Sequence, residues 1–413
     1  MISGGHMTRR LLLVPAIALA LALTGAAGCS KGGDIAVDSS KLGYYAGTWE
    51  DCRAQFIKEA DGLKRAYKGV ETSSIEVKSA TDKGLTIDAC YVPAQKEKAG
   101  LIVISSGVHG IEGFAGSAVQ RMVMRELLPK MDLSTTGVLF IHGVNPYGMK
   151  HERRVNEENV DLNRNFDVDK KLFALKNPGY PVIKDLLNPE EKLSTWSPGY
   201  VFFPVKAIYY IVKYGMGTLR ESILKGQYEF PMGVYYGGKD FVPQKAPLEA
   251  LITKSAAGCA RVFVMDLHTG YGERDKMHYF PNPITIPKNL EAAKKVFEGR
   301  TVDWGDTGDF YITTGDITDY IEKLFPAKTV IRMTAEYGTM DSQTTMGSIK
   351  SLKITIMENQ AANQGGKSES DFKEAKANFR EMYYPSSPEW RSEIMRQTAE
   401  DFPVLFKRFA ELK

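Results

Sequence analysis

The chain is poor in the residues that build thiolate sites. It has four cysteines in 413 residues and no Cys-x-x-Cys spacing, which excludes a sulfur-ligated metal cluster. Cys52, Cys90 and Cys259 follow the N-terminal leader; in an oxidising compartment one pair of them can close a disulfide, with the choice of pair open. A formal net charge of +3, with no basic run interleaved with aromatics, excludes nucleic acid as a partner. The single GxSxG match, Gly28–Gly32, falls at the end of the leader and not after a strand, so no nucleophile elbow is offered and a serine hydrolase is disfavoured; there is no internal repeat. With 43% hydrophobic and 25% charged residues, what remains is an ordinary globular composition.

Leu11–Leu23 is too short to span a bilayer comfortably and follows Arg9 and Arg10, as the apolar core of a signal peptide does. "TGAAGCS" follows it and resembles a bacterial lipoprotein cleavage site, with Cys29 as the lipidated first residue, although Ala26 stands where Leu is usual. The alternative is a plain secretory signal cut nearby. Either way the expectation is export, to the periplasm or cell envelope, with membrane contact only through the lipid. Residues 1–28 then form the signal and 29–41 a polar tether. Residues 42–413 form a single catalytic domain.

Within that domain "WEDCRAQFIKEADGLKRAY" has helical spacing, and a hairpin is expected around 73–79 and 84–92, with "TDKG" as its turn. The runs "GLIVIS", "GVLFIH", "ARVFVMDLH" and "KTVIRMTAE" are continuous and apolar, as strands buried on both faces are; helical stretches such as 113–128 separate them. The fold class is α/β with a parallel or mixed central sheet. Residues of about 170–243 break this rhythm and read as an apolar insertion packed over the domain. The tail, 370–413, reads as two helices broken at "YPSSPEW".

The unusual polar residues sit where these strands end, which in open α/β sheets is where ligands bind. His109 and Glu112 follow the first run in "SSGVHGIEGFAG", and glycines 107, 110 and 113 let the backbone bend there. "RRVNEENVDLNRNF" follows the second run, Asp266 and His268 close the third, and Glu336 closes the fourth. An HxxE pair plus a distant histidine makes three nitrogen or oxygen ligands, which on zinc leave a coordination position open, as in catalytic sites. His142, His151 and His278 lack comparable partners and read as ordinary polar residues.

"HGIE", "NPYG", "RVNEENVDLNRNF", "DLHTGYG" and "TAEYGT", in this order, resemble the zinc carboxypeptidase superfamily and, more closely, its bacterial branch known only as a domain of unknown function. The resemblance covers most of the chain from about residue 45. It implies a mixed sheet of about eight strands between helical layers and one Zn2+ ion on His109, Glu112 and His268. It further implies Arg154 polarising the scissile carbonyl, Asn163 and Arg164 holding a terminal carboxylate, Glu336 as general base, and Asp161 fixing the His109 tautomer. "GDITDY" offers Tyr320 for the family's mobile tyrosine, with Tyr311 as competitor.

The expected activity is hydrolysis of an amide beside a free carboxylate, most simply by a carboxypeptidase acting on peptides or cell-wall peptides. A deacylase of N-acyl amino acids, of aspartoacylase or desuccinylase type, shares the motifs. A third reading keeps the fold for binding without turnover. The insertion argues for a small or shielded substrate, with Tyr228, Tyr235 or Tyr236 as candidates for the pocket wall. Oligomeric state is not legible.

Overall fold

The computed structural model of the protein describes residues 35–305 and 312–412; the leader, Cys29, the first part of the tether and Tyr311 lie outside them. The strands are β1 (Glu71–Glu76), β2 (Thr86–Val92), β3 (Gly100–Ser106), β4 (Thr136–His142), β5 (Arg261–Gly270), β6 (Met277–Phe280) and β7 (Thr329–Gly338), in the order β1-β2-β4-β3-β5-β7-β6. The central strands β4, β3, β5 and β7 run parallel, and β1, β2 and β6 pair antiparallel at the flanks. The sheet is therefore mixed, as expected, with seven strands among the described residues rather than eight.

Side chains alternate across this sheet, so its apolar runs feed two cores. Ile102 and Ile104 of β3, with Phe140, Phe263 and Met333, face one layer. Leu101 and Val103, with Leu139, Val262 and Val330, face the other. Helices α1 (Trp49–Ala66) and α2 (Gly113–Met122) contribute Phe56 and Phe114 to the first layer. Helices α6 (Lys245–Ala256) and α8 (Ile317–Leu324) contribute Leu248 and Ile321 to the second. The expected hairpin forms between β1 and β2, although the loop is longer than the "TDKG" turn alone.

The insertion carries α3 (Tyr180–Leu187), α4 (Phe203–Tyr214) and α5 (Met216–Leu224). They build a third apolar cluster with Ile349 and Ile356 of α9 (Thr345–Gln364). The tail forms α10 (Glu369–Tyr383) and α11 (Pro388–Glu411); Pro388 opens α11 in the first turn, where its missing N–H costs nothing, behind the cap Ser387. Cys52, Cys90 and Cys259 are buried free thiols. No helix among the described residues is long and apolar enough to cross a membrane.

Candidate active site

The chain leaves β3 through a turn that only glycine permits. Gly107 has φ +73°, and a Cβ on Gly110 would sit 2.0 Å from the carbonyl carbon of Gly148. That close approach lets Gly110 N donate to Arg154 O and Ile111 N to Arg153 O. The turn therefore fixes His109, Glu112 and the Arg153–Arg154 segment as one unit. His109 and Glu112 are 4% and 2% exposed, so their polar atoms must be satisfied inside the protein.

His268 arrives from β5, the neighbour of β3, and its Nδ1 lies 3.0 Å from Glu112 Oε2. Its Nε2 lies 2.6 Å from Asp266 Oδ2, and Ser105 Oγ donates to the other Asp266 oxygen at 2.6 Å. His109 is arranged in parallel: Nδ1 is 2.9 Å from Glu112 Oε1 and Nε2 is 3.2 Å from Asp161 Oδ1. Neither of these contacts has hydrogen-bond alignment, and both His109 nitrogens are buried without a hydrogen-bond partner among the described residues. One ligand atom from each of His109, Glu112 and His268 lies within 4.8 Å of the others.

A divalent cation fits this donor set. Two imidazole nitrogens and a carboxylate oxygen suit zinc, and the buried Nδ1 of His109, 2.9 Å from Glu112 Oε1, has no aligned hydrogen-bond partner among the described residues. Each histidine turns its other nitrogen toward an aspartate, the arrangement that orients metal-ligating imidazoles. Burial alone would raise the Glu112 carboxyl, but the charges and hydrogen bonds of His109 and His268 outweigh it and hold it well below the usual carboxylate range. Burial would likewise lower His268, and Asp266 and Glu112 together carry it well above the usual imidazole range instead.

Glu336 stands beside this group because β5 and β7 run parallel in register, His268 opposite Glu336. Its Oε1 accepts from Tyr271 N at 2.8 Å. Burial first, then the Glu112 charge, pushes its carboxyl from 4.5 up to about 8. Arg154 donates through Nε to Asp161 at 2.9 Å and through Nη1 to Glu112 at 3.4 Å, and its guanidinium lies 5.2 Å from the Tyr235 ring centre. Arg153 turns the other way, to Glu358 and Asn159, which separates the two neighbours that sequence could only rank by alignment.

Asn163 and Arg164 line the same cavity. Asn163 donates to Asp316 and accepts from Ile317 N, while Arg164 donates to the main-chain oxygens of Leu224 and Asn163. Both are thus also structural fasteners, tying the "LNRN" segment to α8 and to the end of α5. Tyr320 is not at the site. It lies on the face of α8 turned to α6, where its hydroxyl bonds Glu249 and its ring packs against Phe166. The helix presents its cap, Asp316, to the cavity instead.

Four other tyrosines, Tyr210, Tyr235, Tyr271 and Tyr383, line the cavity. Tyr235 has φ +56° and its ring lies 5.2 Å from the Arg154 guanidinium and 5.9 Å from that of Arg164. Tyr228 instead donates to Arg164 O. Asp266 was legible in sequence as more than a strand-end residue: two positions before His268, it shares that residue's face of β5.

The family described as "Protein of unknown function (DUF2817)" matches residues 45–397. The chain belongs to this family. The resemblance to a bacterial branch of unknown function, drawn from the motifs, agrees with it. No curated protein matches the chain. Among solved structures, it is similar to bovine thrombin-activatable fibrinolysis inhibitor in complex with tick carboxypeptidase inhibitor, at 13% identity over 78% of this chain and 97% of that one, TM-score 0.45. It is also similar to carboxypeptidase A from Helicoverpa armigera, at 14% identity over 89% and 80%, TM-score 0.44. A protein of the succinylglutamate desuccinylase/aspartoacylase family from Shewanella amazonensis matches at 15% identity over 72% and 75%, TM-score 0.35. All three TM-scores lie under 0.5, too low to carry a functional assignment.

Proposed function

We propose that this DUF2817 protein is an exported, zinc-dependent hydrolase that cuts an amide bond next to a free carboxylate. The observation that carries the reading is the convergence of His109, Glu112 and His268, from two strand ends, within 4.8 Å and beside the buried carboxylate of Glu336. A zinc ion held there supplies Lewis acidity toward the amide carbonyl and toward water.

The chain's own groups do the rest. Glu336, in its carboxylate form, takes a proton from the attacking water and returns it to the leaving nitrogen. Arg154, held by Asp161 and Glu112, offers its cation to the carbonyl oxygen as charge develops there. Arg164 and Asn163 receive the substrate carboxylate, with Arg164 supplying the countercharge. Asp161 and Asp266 keep the two imidazoles oriented. Export rests on Arg9 and Arg10, the apolar stretch Leu11–Leu23 and the small residues before Cys29, which takes the lipid in this reading.

Peptides with a free C-terminus, cell-wall peptides included, are the first substrate class. N-acyl amino acids are the second, favoured by the depth of the site, whose three ligand residues are at most 5% exposed. The test is to load the protein with zinc and measure release of C-terminal residues from a peptide library beside release of amino acids from N-acyl derivatives. Turnover of either class, lost in Glu336→Gln, is expected; a zinc-loaded protein inert toward both contradicts the proposal.

A further inference from the structure

The cavity that holds the site does not end at its charged residues. It encloses about 260 Å³, and the insertion and α9 contribute aliphatic side chains to its lining: Leu186, Ala207, Ile211, Leu219, Ile223 and Leu352. Ala207 and Ile211 are four apart on α4, and Leu219 and Ile223 are four apart on α5, so each helix turns one aliphatic edge toward the same space. The zinc-ligand candidates, Arg154, Arg164 and Glu336 line the same cavity.

A space lined by both charged and aliphatic side chains matches an amphipathic ligand. The aliphatic side chains offer water no hydrogen bonds, although Arg220 of α5 and Ser351 of α9 line the same cavity, so hydrocarbon seated against them gains the transfer free energy of every carbon buried there. Except for α9, the helices that build it lie in the segment that breaks the strand–helix rhythm, so the chamber is largely a feature of the insertion and not of the sheet.

We propose that the substrate carries an apolar arm of several carbons, seated in this insertion-built chamber while the amide lies at Glu336 and the carboxylate at the arginine end. This inference rests on the hydrolase reading for the position of the amide. The arm is either the acyl chain of an N-acyl amino acid or the side chain of a C-terminal residue; the chemistry the chamber recognises is the same.

Two amide series on the zinc-loaded protein test it: N-acyl alanines from acetyl to octanoyl, and blocked peptides ending in Ala, Leu or Phe. In one series kcat/KM is expected to rise about fourfold per methylene group, as burial of each CH₂ implies, and which series responds identifies the arm. Leu352→Glu and Ile211→Trp, which charge and fill the half-buried edge of the chamber, are expected to bring the long-to-short ratio of kcat/KM toward one. Turnover independent of arm length, or variants that keep the wild-type ratio, overturns the inference and leaves the hydrolase reading standing. If neither series is turned over, calorimetric titration of the same compounds decides: a Kd that tightens with arm length keeps the chamber and removes the hydrolase reading, whereas a flat or absent affinity removes the chamber.

Discussion

At the scale of single residues, the two aspartates behind the histidines separate this site from a chance meeting of polar groups. Asp266 is 2.6 Å from His268 Nε2 and is itself held by Ser105, so Asp266→Asn changes the partner of a ligand without emptying space. Such replacements typically cost about 10–100-fold in metal affinity, and a zinc titration of Asp266→Asn against wild type is expected to show a loss of that size. Glu336 is a different case, since it makes no contact that the ligand cluster needs. Glu336→Gln is expected to lower kcat by about 10²–10⁴ with zinc affinity held within a few-fold, read by single-turnover kinetics and metal titration together. Undiminished turnover in that variant removes Glu336 from the chemistry. His109, Glu112, His268 and Glu336 stood out in sequence because each lies at or just past the end of an apolar strand, and Arg154 because its motif matches the family's. Tyr320 was misplaced because a residue's side of a helix depends on what packs there, here Glu249 and Phe166, and neither is near it in sequence.

At the scale of elements, the turn after β3 is the tightest constraint. A methyl group on Gly110 meets the backbone of Gly148 and Met149 at 2.0–2.4 Å, and backbone cannot move aside as a flexible side chain can. Gly110→Ala is expected to destabilise the protein by about 3 kcal/mol, the upper part of the overpacking range, and to weaken zinc binding because His109 is anchored by the same turn. Urea unfolding with and without zinc measures both, and a variant as stable as wild type contradicts the close approach. The buried strands were readable because β3, β4, β5 and β7 are apolar on both faces, which leaves few alternatives for runs of that length. Strand β6, "MHYF", escaped notice because four residues with a polar one among them carry no usable period. The insertion was recognisable as packed, from its aromatics, and as a source of the pocket wall at Tyr235, but its aliphatic lining was not, since that depends on α3, α4, α5 and α9 meeting across long sequence separations.

At the scale of the whole molecule, three acidic or imidazole groups tie stability to pH. Glu336 is raised from 4.5 to about 8, Asp319 is raised to about 7 by burial and then the Asp316 charge, and His268 is raised well above its usual range. In each case the folded metal-free protein holds protons that the unfolded chain has released, so stability is full at low pH within this set and falls as pH rises through the folded values. The unfolding free energy of the metal-free protein is expected to fall between about pH 5 and 8, less steeply in Glu336→Gln, by up to about 1.4 kcal/mol per pH unit for the one proton removed. Matching slopes for wild type and variant contradict this assignment. Zinc at 100-fold excess over its Kd should raise stability by about 2.7 kcal/mol. The most direct measurement of the central claim is metal stoichiometry by elemental analysis, on wild type and on a His109→Ala, His268→Ala double variant confirmed folded by circular dichroism. One tightly held zinc per chain in the wild type and none in the double variant is the predicted result; a wild type that binds none, or a variant that binds as much, contradicts it.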